Sequence, residues 1–234
     1  KGKLPKGTYA LTYGNLPWAF MSLLYGAGGT LENDMDDLTK DVWRKPMEKL
    51  KEAYDAGVIA PMDVDGEQAF GSGKAVFAQL GTWAQGNMSN TLGADKIAEA
   101  NTLQYSADNP VNFFYQCNWM QLKDPHRSAA KSAAAADFVK YVYEHWMDWS
   151  EVGSISPAYR DLNNPKYQKL IQASFTNSKK ERDYIKTSNY LYGGYATAGW
   201  GIYNDIVYGN VGLEEGLKTL DLMAQGQIEI QEES

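Results

Sequence analysis

Three tryptophans stand at junctions that a ligand could reach. Trp18 follows Pro17 at the start of an apolar run, Trp83 follows Gly81-Thr82, and Trp200 lies between Gly199 and Gly201. A core tryptophan usually sits within a periodic segment, whereas these three sit beside glycine or proline. Glycine lets a ligand approach the backbone, and an indole face offers a broad apolar surface with one N–H donor. The C–H patches of a sugar ring fit such a face, and its hydroxyls need planar polar groups nearby. Asn15, Gln85, Asn118 and Asn204 are candidates for that role. Taken singly, each tryptophan is more often packing than binding. The chain also carries 16 Tyr against 7 Phe and 7 Trp. Because a buried phenol must find a partner, this excess favours a wet, aromatic-walled surface over a purely apolar core.

Other chemistries find less material. Gly71-Ser72-Gly73-Lys74 matches a phosphate loop only in part: that loop needs Gly, four residues, then Gly-Lys-Ser/Thr after a strand, and here Ala75 follows Lys74. Gly26, Gly28 and Gly29 follow an apolar helix-like run, not a strand, which argues against a dinucleotide fingerprint. His145 ends a predicted helix, where the dipole favours it; His126 lies in a polar loop. Cys117, between Tyr115 and Trp119 in a predicted strand, reads as an inert buried thiol. No Cys-His or Ser-His-Asp pattern marks a nucleophile, and among the many acids no two stand out as a glycosidase pair. Two histidines and one cysteine leave little for a zinc site. We expect no catalytic residue, no metal and no cofactor. A net charge of −7, from 29 acids and 22 bases, argues against nucleic acid as a partner.

The elements that must position these residues alternate between strand and helix. At 234 residues, 44% hydrophobic and 22% charged, the chain suits one large domain or two small ones and is not a disordered polymer. No run reaches the ~20 apolar residues of a membrane-spanning helix. Residues 8–13 read as a strand closed by Gly14-Asn15, and 17–25 as an apolar helix stopped by glycines. The acidic stretch 32–41 reads as a solvated loop. Trp43, Met47, Leu50 and Tyr54 share one helical face ending at Gly57, and Pro46 within it marks either a start or a kink. A short helical turn at 67–74 precedes a buried strand at 75–80; a second strand covers 112–122. A long helix spans 128–146 with Phe138, Val142 and Trp146 on one stripe, and further helices cover 202–208 and 216–223. The class is α/β. The first residues carry no apolar segment that reads as a signal peptide, and neither end reveals a location.

Phe70-Gly71-Ser72-Gly73-Lys74-Ala75-Val76-Phe77 followed by Leu80-Gly81-Thr82-Trp83 resembles the F-x-x-G-K-A-A-M … G-x-W signature of family 1 extracellular solute-binding proteins. These are the sugar-capturing, maltose-binding-protein-like receptors of ABC importers. Weaker matches keep the same order: Tyr25 to Gly29, Leu50 to Gly57, Ala134 to Tyr143, and Gly153 to Pro157. The resemblance implies a periplasmic-binding-protein-like class II fold of two α/β lobes, present here as most of the second lobe and part of the first. Residues 1–107 would be the second-lobe domain, 108–161 the crossover and first-lobe segment, and 162–234 the return to the second lobe. The starting strands of the first lobe would be missing, because the chain was shortened or because its other half is a separate polypeptide. The strand at 112–122 would then have an unpaired edge and the alanine-rich helix an uncovered face, features that predict association or local disorder.

Carried over by position, the resemblance implies that Trp83 stacks on a sugar and that Trp18 and Trp200 present further aromatic faces. Asn118 and Trp119 would lie near the cleft, Tyr13 and Asn15 beside the first site, and Tyr192 and Tyr195 in a late loop. It implies a non-enzymatic receptor that captures a carbohydrate by closing two lobes over it. Its partners would be the sugar and the permease subunits of an ABC importer, with self-association through the exposed first-lobe remnant as a further expectation. The protein would lie outside the cytoplasm, in the periplasm or at the cell surface, with its precursor a membrane-anchored lipoprotein. A glycan-active enzyme, or a two-lobe receptor for a non-sugar solute, is the alternative.

Overall fold

The run from Leu16 to Gly26 has no polar side to turn toward water, so as a helix it must be buried on every face. In the computed structural model it forms α1 (Leu16–Gly26), and every residue of it except Trp18 is buried. The structure describes residues 4–14, 16–100, 102–113, 122–153, 161–173, 185–186, 196 and 198–232. Asn15, Cys117, Asn118, Trp119, Tyr192 and Tyr195 lie outside these, as does most of the strand expected at 112–122.

Two compact units are formed from discontinuous segments: Lys1–Gly81, Ala100–Tyr115 and Asp183–Ser234 in the first, Thr82–Glu99 and Gln116–Arg182 in the second. Segment 82–99 thus groups with 116–182, whereas the division implied by the resemblance falls at 107/108 and 161/162.

In the first unit, β1 (Tyr9–Tyr13) pairs in parallel with β2 (Ala75–Gln79), Leu11 opposite Phe77. On its other side Leu11 bridges Ile59, donating its N–H to the Val58 carbonyl (3.1 Å) and accepting from Ala60 N–H (2.9 Å). Parallel neighbours need helical crossovers. Helices α1 and α2 (Asp41–Asp55) connect β1 to residues 58–60, and α3 (Gly66–Gly71) leads on to β2. Helix α2 runs through Pro46, so that proline does not start it. The expected burial of β2 is not met: Val76 and Phe77 are 50% and 64% exposed, and among the described residues β2 is an edge strand paired with β1 alone. The acidic loop is likewise only partly solvated. Leu38 is fully buried, its N–H donates to Asp221 Oδ1 (3.0 Å), and Trp43 Nε1 donates to Asp34 O (2.8 Å).

Gly71-Ser72-Gly73-Lys74 is a helix stop. Lys74 N–H reaches back to Ala69 O and Gly73 N–H to Phe70 O, with Gly73 at φ 72°, the left-handed terminator that glycine adopts without strain. Beyond the end of α1, Gly29 serves a different purpose: a Cβ there would lie 2.5 Å from Val42 Cγ2 and 2.7 Å from Leu24 Cδ1, so both side chains would have to shift. A two-residue strand, β3 (Asn112–Phe113), pairs in parallel with β4 (Ile185–Lys186), and Phe113 N–H donates to Ser22 Oγ (2.9 Å) on α1.

The second unit contains α4 (Ala84–Leu92), α5 (Ala129–Glu144) and α6 (Trp146–Gly153). The long helix expected at 128–146 is therefore interrupted at His145, whose Nδ1 lies 2.8 Å from Tyr141 O and whose ring stacks on Tyr141. Of the expected stripe only Val142 is buried. Two C-terminal helices, α7 (Trp200–Val207) and α8 (Leu213–Glu232), belong to the first unit and close its core. Among the described residues no helix is long and apolar enough to cross a membrane.

Candidate solute-binding site

Parallel α/β layers leave crevices beyond the carboxyl ends of their strands, where loops diverge and ligands bind. The first unit has such a pocket, of about 160 Å³, where β1 ends in Tyr13 and Gly14. Met62 and Val64, just beyond the 58–60 segment, form one wall; Leu16 begins α1 there; Trp200, Asn204 and Tyr208 complete it from α7 and its cap. None of these side chains carries a charge.

Two of the three junction tryptophans come together beside this pocket. Trp18 and Trp200 meet edge to face with ring centroids 6.0 Å apart, a geometry aromatic quadrupoles favour. Each is placed by its helix. Trp18 is the one residue of α1 left partly accessible, and Trp200, 39% exposed, opens α7 after Gly199. Glycine at 199 makes room for Leu220: a Cβ would sit 2.5 Å from its Cδ2, so the buried Leu220 side chain would have to shift. Trp83 belongs to the second unit, where it precedes α4 and is 64% exposed.

Tyr13 is at the pocket's end of β1, with its hydroxyl buried and without a hydrogen-bond partner among the described residues. Burial, and secondarily the Tyr208 hydroxyl, push its pKa far above the ordinary tyrosine range. Tyr208 is also raised, first by burial and then by Tyr54, on which it packs edge to face at 4.9 Å. Both phenols stay protonated at neutral pH, so the pocket offers uncharged groups only. Gln85, also named for its amide, is engaged within the second unit, donating from Nε2 to Gln172 Oε1 (2.8 Å).

Met62, Val64 and Tyr208 escaped the sequence analysis. For Met62 and Val64 the missing signal was a single bridge: Ile59 pairs with Leu11 outside any longer strand, and so short an extended segment does not announce itself by alternation. Among the described residues no cluster of three or more His, Cys, Asp or Glu is placed to hold a metal.

No family model matches the sequence, and a search of curated proteins finds no relative. Solved structures do match. The GacH receptor of Streptomyces glaucescens, solved unliganded and with acarbose, superposes with a TM-score of 0.72 at 16% identity, over 96% of this chain and 60% of its own. The maltose/maltodextrin-binding domain MalE of Bdellovibrio bacteriovorus, bound to maltotriose, gives 0.69 at 14% over 97% and 62%. UgpB of Mycobacterium tuberculosis, in complex with glycerophosphocholine, gives 0.69 at 13% over 99% and 61%. The chain spans about 60% of the length of these structures. At such identities the likeness is one of fold: this α/β chain shares the periplasmic-binding-protein-like fold of the maltose-binding type, over some three fifths of its extent.

Proposed function

We propose that this chain is part of a non-enzymatic solute receptor that binds a carbohydrate outside the cytoplasm and passes it to the permease of an ABC importer. The observation that carries this is the corner made by Trp18 and Trp200 beside an uncharged pocket at the carboxyl end of β1. Capture of a neutral ring needs an apolar face to stack on and hydrogen-bonding groups around its rim, with no bond made or broken. A handful of such contacts at about 1 kcal/mol net each can sustain micromolar affinity, ~−8 kcal/mol. Maltotriose and acarbose as ligands of similarly folded proteins support the same class. Trp83, exposed ahead of α4, enters as a further stacking residue, and Asn15, Asn118, Trp119, Tyr192 and Tyr195 as candidates outside the described residues.

A non-sugar solute is the second reading, favoured by the equal fold likeness to a glycerophosphocholine-bound protein; the absence of any charged side chain from the pocket lining weighs against it. Calorimetric titration with maltotriose, acarbose and glycerophosphocholine separates the two. Binding of a sugar with the sugar recovered unchanged supports the receptor; turnover of the sugar, or binding of glycerophosphocholine alone, overturns it. Trp200→Ala should weaken sugar binding by about 1–3 kcal/mol, the usual loss for a stacking residue. An unaltered affinity would remove Trp200 from the site.

A further inference from the structure

We propose that Asn204 reads the solute: its carboxamide hydrogen-bonds a pair of neighbouring hydroxyls on an uncharged ring that lies against Trp200. The proposal rests on the chain being a sugar receptor and adds the residue that would set its specificity.

Helical periodicity puts Trp200, Asn204 and Tyr208 on one stripe at successive turns, and all three line the pocket. The Asn204 backbone carbonyl is spent on Tyr208 N–H (2.8 Å). Its side chain is half-buried and makes no hydrogen bond among the described residues. A primary amide flanked by two aromatic rings and left free in this way carries two donors and an acceptor in one plane. Adjacent hydroxyls on a ring present an acceptor and a donor at matching separation, so one carboxamide can satisfy both. The nearest acid in sequence does not compete. Asp205 is turned to its own helix end, where Oδ1 accepts from Asn210 Nδ2 (3.0 Å) and its carbonyl accepts from the N–H groups of Asn210 and Val211. With Tyr13 and Tyr208 protonated and no ionised group in the lining, the pocket has nothing to neutralise a phosphate or an ammonium. An uncharged ring bearing vicinal hydroxyls is the solute this combination fits.

The test uses the full chain and its N204A and N204D variants, titrated calorimetrically with maltotriose and with acarbose at low and high salt, with thermal unfolding measured in parallel. N204A should bind about tenfold more weakly, the loss of roughly one good hydrogen-bonded contact. Its unfolding temperature should be unchanged or slightly higher, since alanine is the better helix former and no internal bond is lost. N204D keeps an acceptor oxygen but replaces the two N–H donors with a second acceptor, and should be weakened as well. Maltotriose affinity of the wild-type chain should be indifferent to salt, because no charge is screened. Wild-type affinity retained by both variants overturns the role of Asn204 and leaves the receptor function standing. A wild-type chain that binds neither sugar overturns the receptor function, and the role of Asn204 with it.

Discussion

Helices α1 and α5 exist for opposite reasons, and the units that hold them differ accordingly. Helix α1 has no acidic residue in its first turn and no basic one in its last; it is helical because the core encloses it. Phe20 stacks on Trp43 at 5.5 Å and meets Tyr203 at a tilt at 5.4 Å, and Met21 and Leu24 are fully buried in the core that α1 shares with α2 and α7. Helix α5 is written into its own residues. Ser128 caps it by accepting from Lys131 N–H (3.2 Å), alanines fill its first turns, and Lys140 reaches Glu144 four residues on. Only Val142 of that helix is buried, while Phe138, Tyr141 and Tyr143 stand 53%, 60% and 48% exposed. Among the described residues the second unit's buried apolar cluster is small: Met147, Tyr167 and Ala173, with Gln172 Nε2 donating to Ser150 O (3.0 Å). A helix specified locally persists with one face uncovered; a helix specified by burial cannot. The uncovered face expected for the alanine-rich helix is therefore present in the structure.

The largest effect that could break this contrast is a cavity in the first unit. Trp43→Ala empties a fully buried site and should cost about 3–5 kcal/mol in urea-induced unfolding. A loss below ~1 kcal/mol would mean that α1 does not depend on its enclosure.

Alkaline pH should act on the same unit. Tyr13, Tyr203 and Tyr208 all have pKa values raised above the ordinary 10.0, chiefly by burial, and Tyr203 donates to Ala196 O (2.6 Å). Above about pH 10 the unfolded chain releases protons that the folded chain retains, so stability is full below that pH and falls as pH rises toward the folded values. Unfolding curves between neutral pH and about pH 11 should show the decline, and Tyr203→Phe should flatten it. A pH-independent stability across that range would show that these phenols do not remain buried.

The smallest effect sharpens the contrast from the other side. Ser128→Ala should cost about 1 kcal/mol through the lost cap and should speed hydrogen exchange in the first turns of α5 while leaving α1 amides as they were. Equal changes in both helices would mean that the units are coupled more tightly than their separate cores suggest.

Much of the fold was legible in the residues. The apolar run 17–25, the four-three-four spacing from Trp43 to Tyr54 and the β-rich 8–13 and 75–80 became α1, α2, β1 and β2 because each period matches one kind of element. The exposure of β2 was not legible, since an apolar run reads the same on an edge as in the middle of a sheet. Nor were Met35 and Leu38 in the acidic loop, which are buried by residues far away in sequence on α8. At the site, proline beside Trp18 and glycine beside Trp200 drew attention to two indoles that the structure leaves partly accessible. What lies around them was hidden, because the pocket is made by the ends of elements separated by well over a hundred residues.

By itself the sequence determined that residues 9–13 and 75–79 are extended, that 16–26 and 41–55 are helical, and that the residues at the junctions are aromatic and amide, because those properties depend on residue type and short-range spacing. Only the tertiary structure decided that Trp18 and Trp200 share one corner, that Trp83 belongs to a different unit, and that α1 is sealed while α5 is bare. Those depend on which faces are brought together, and burial is a property of neighbours that no local pattern encodes.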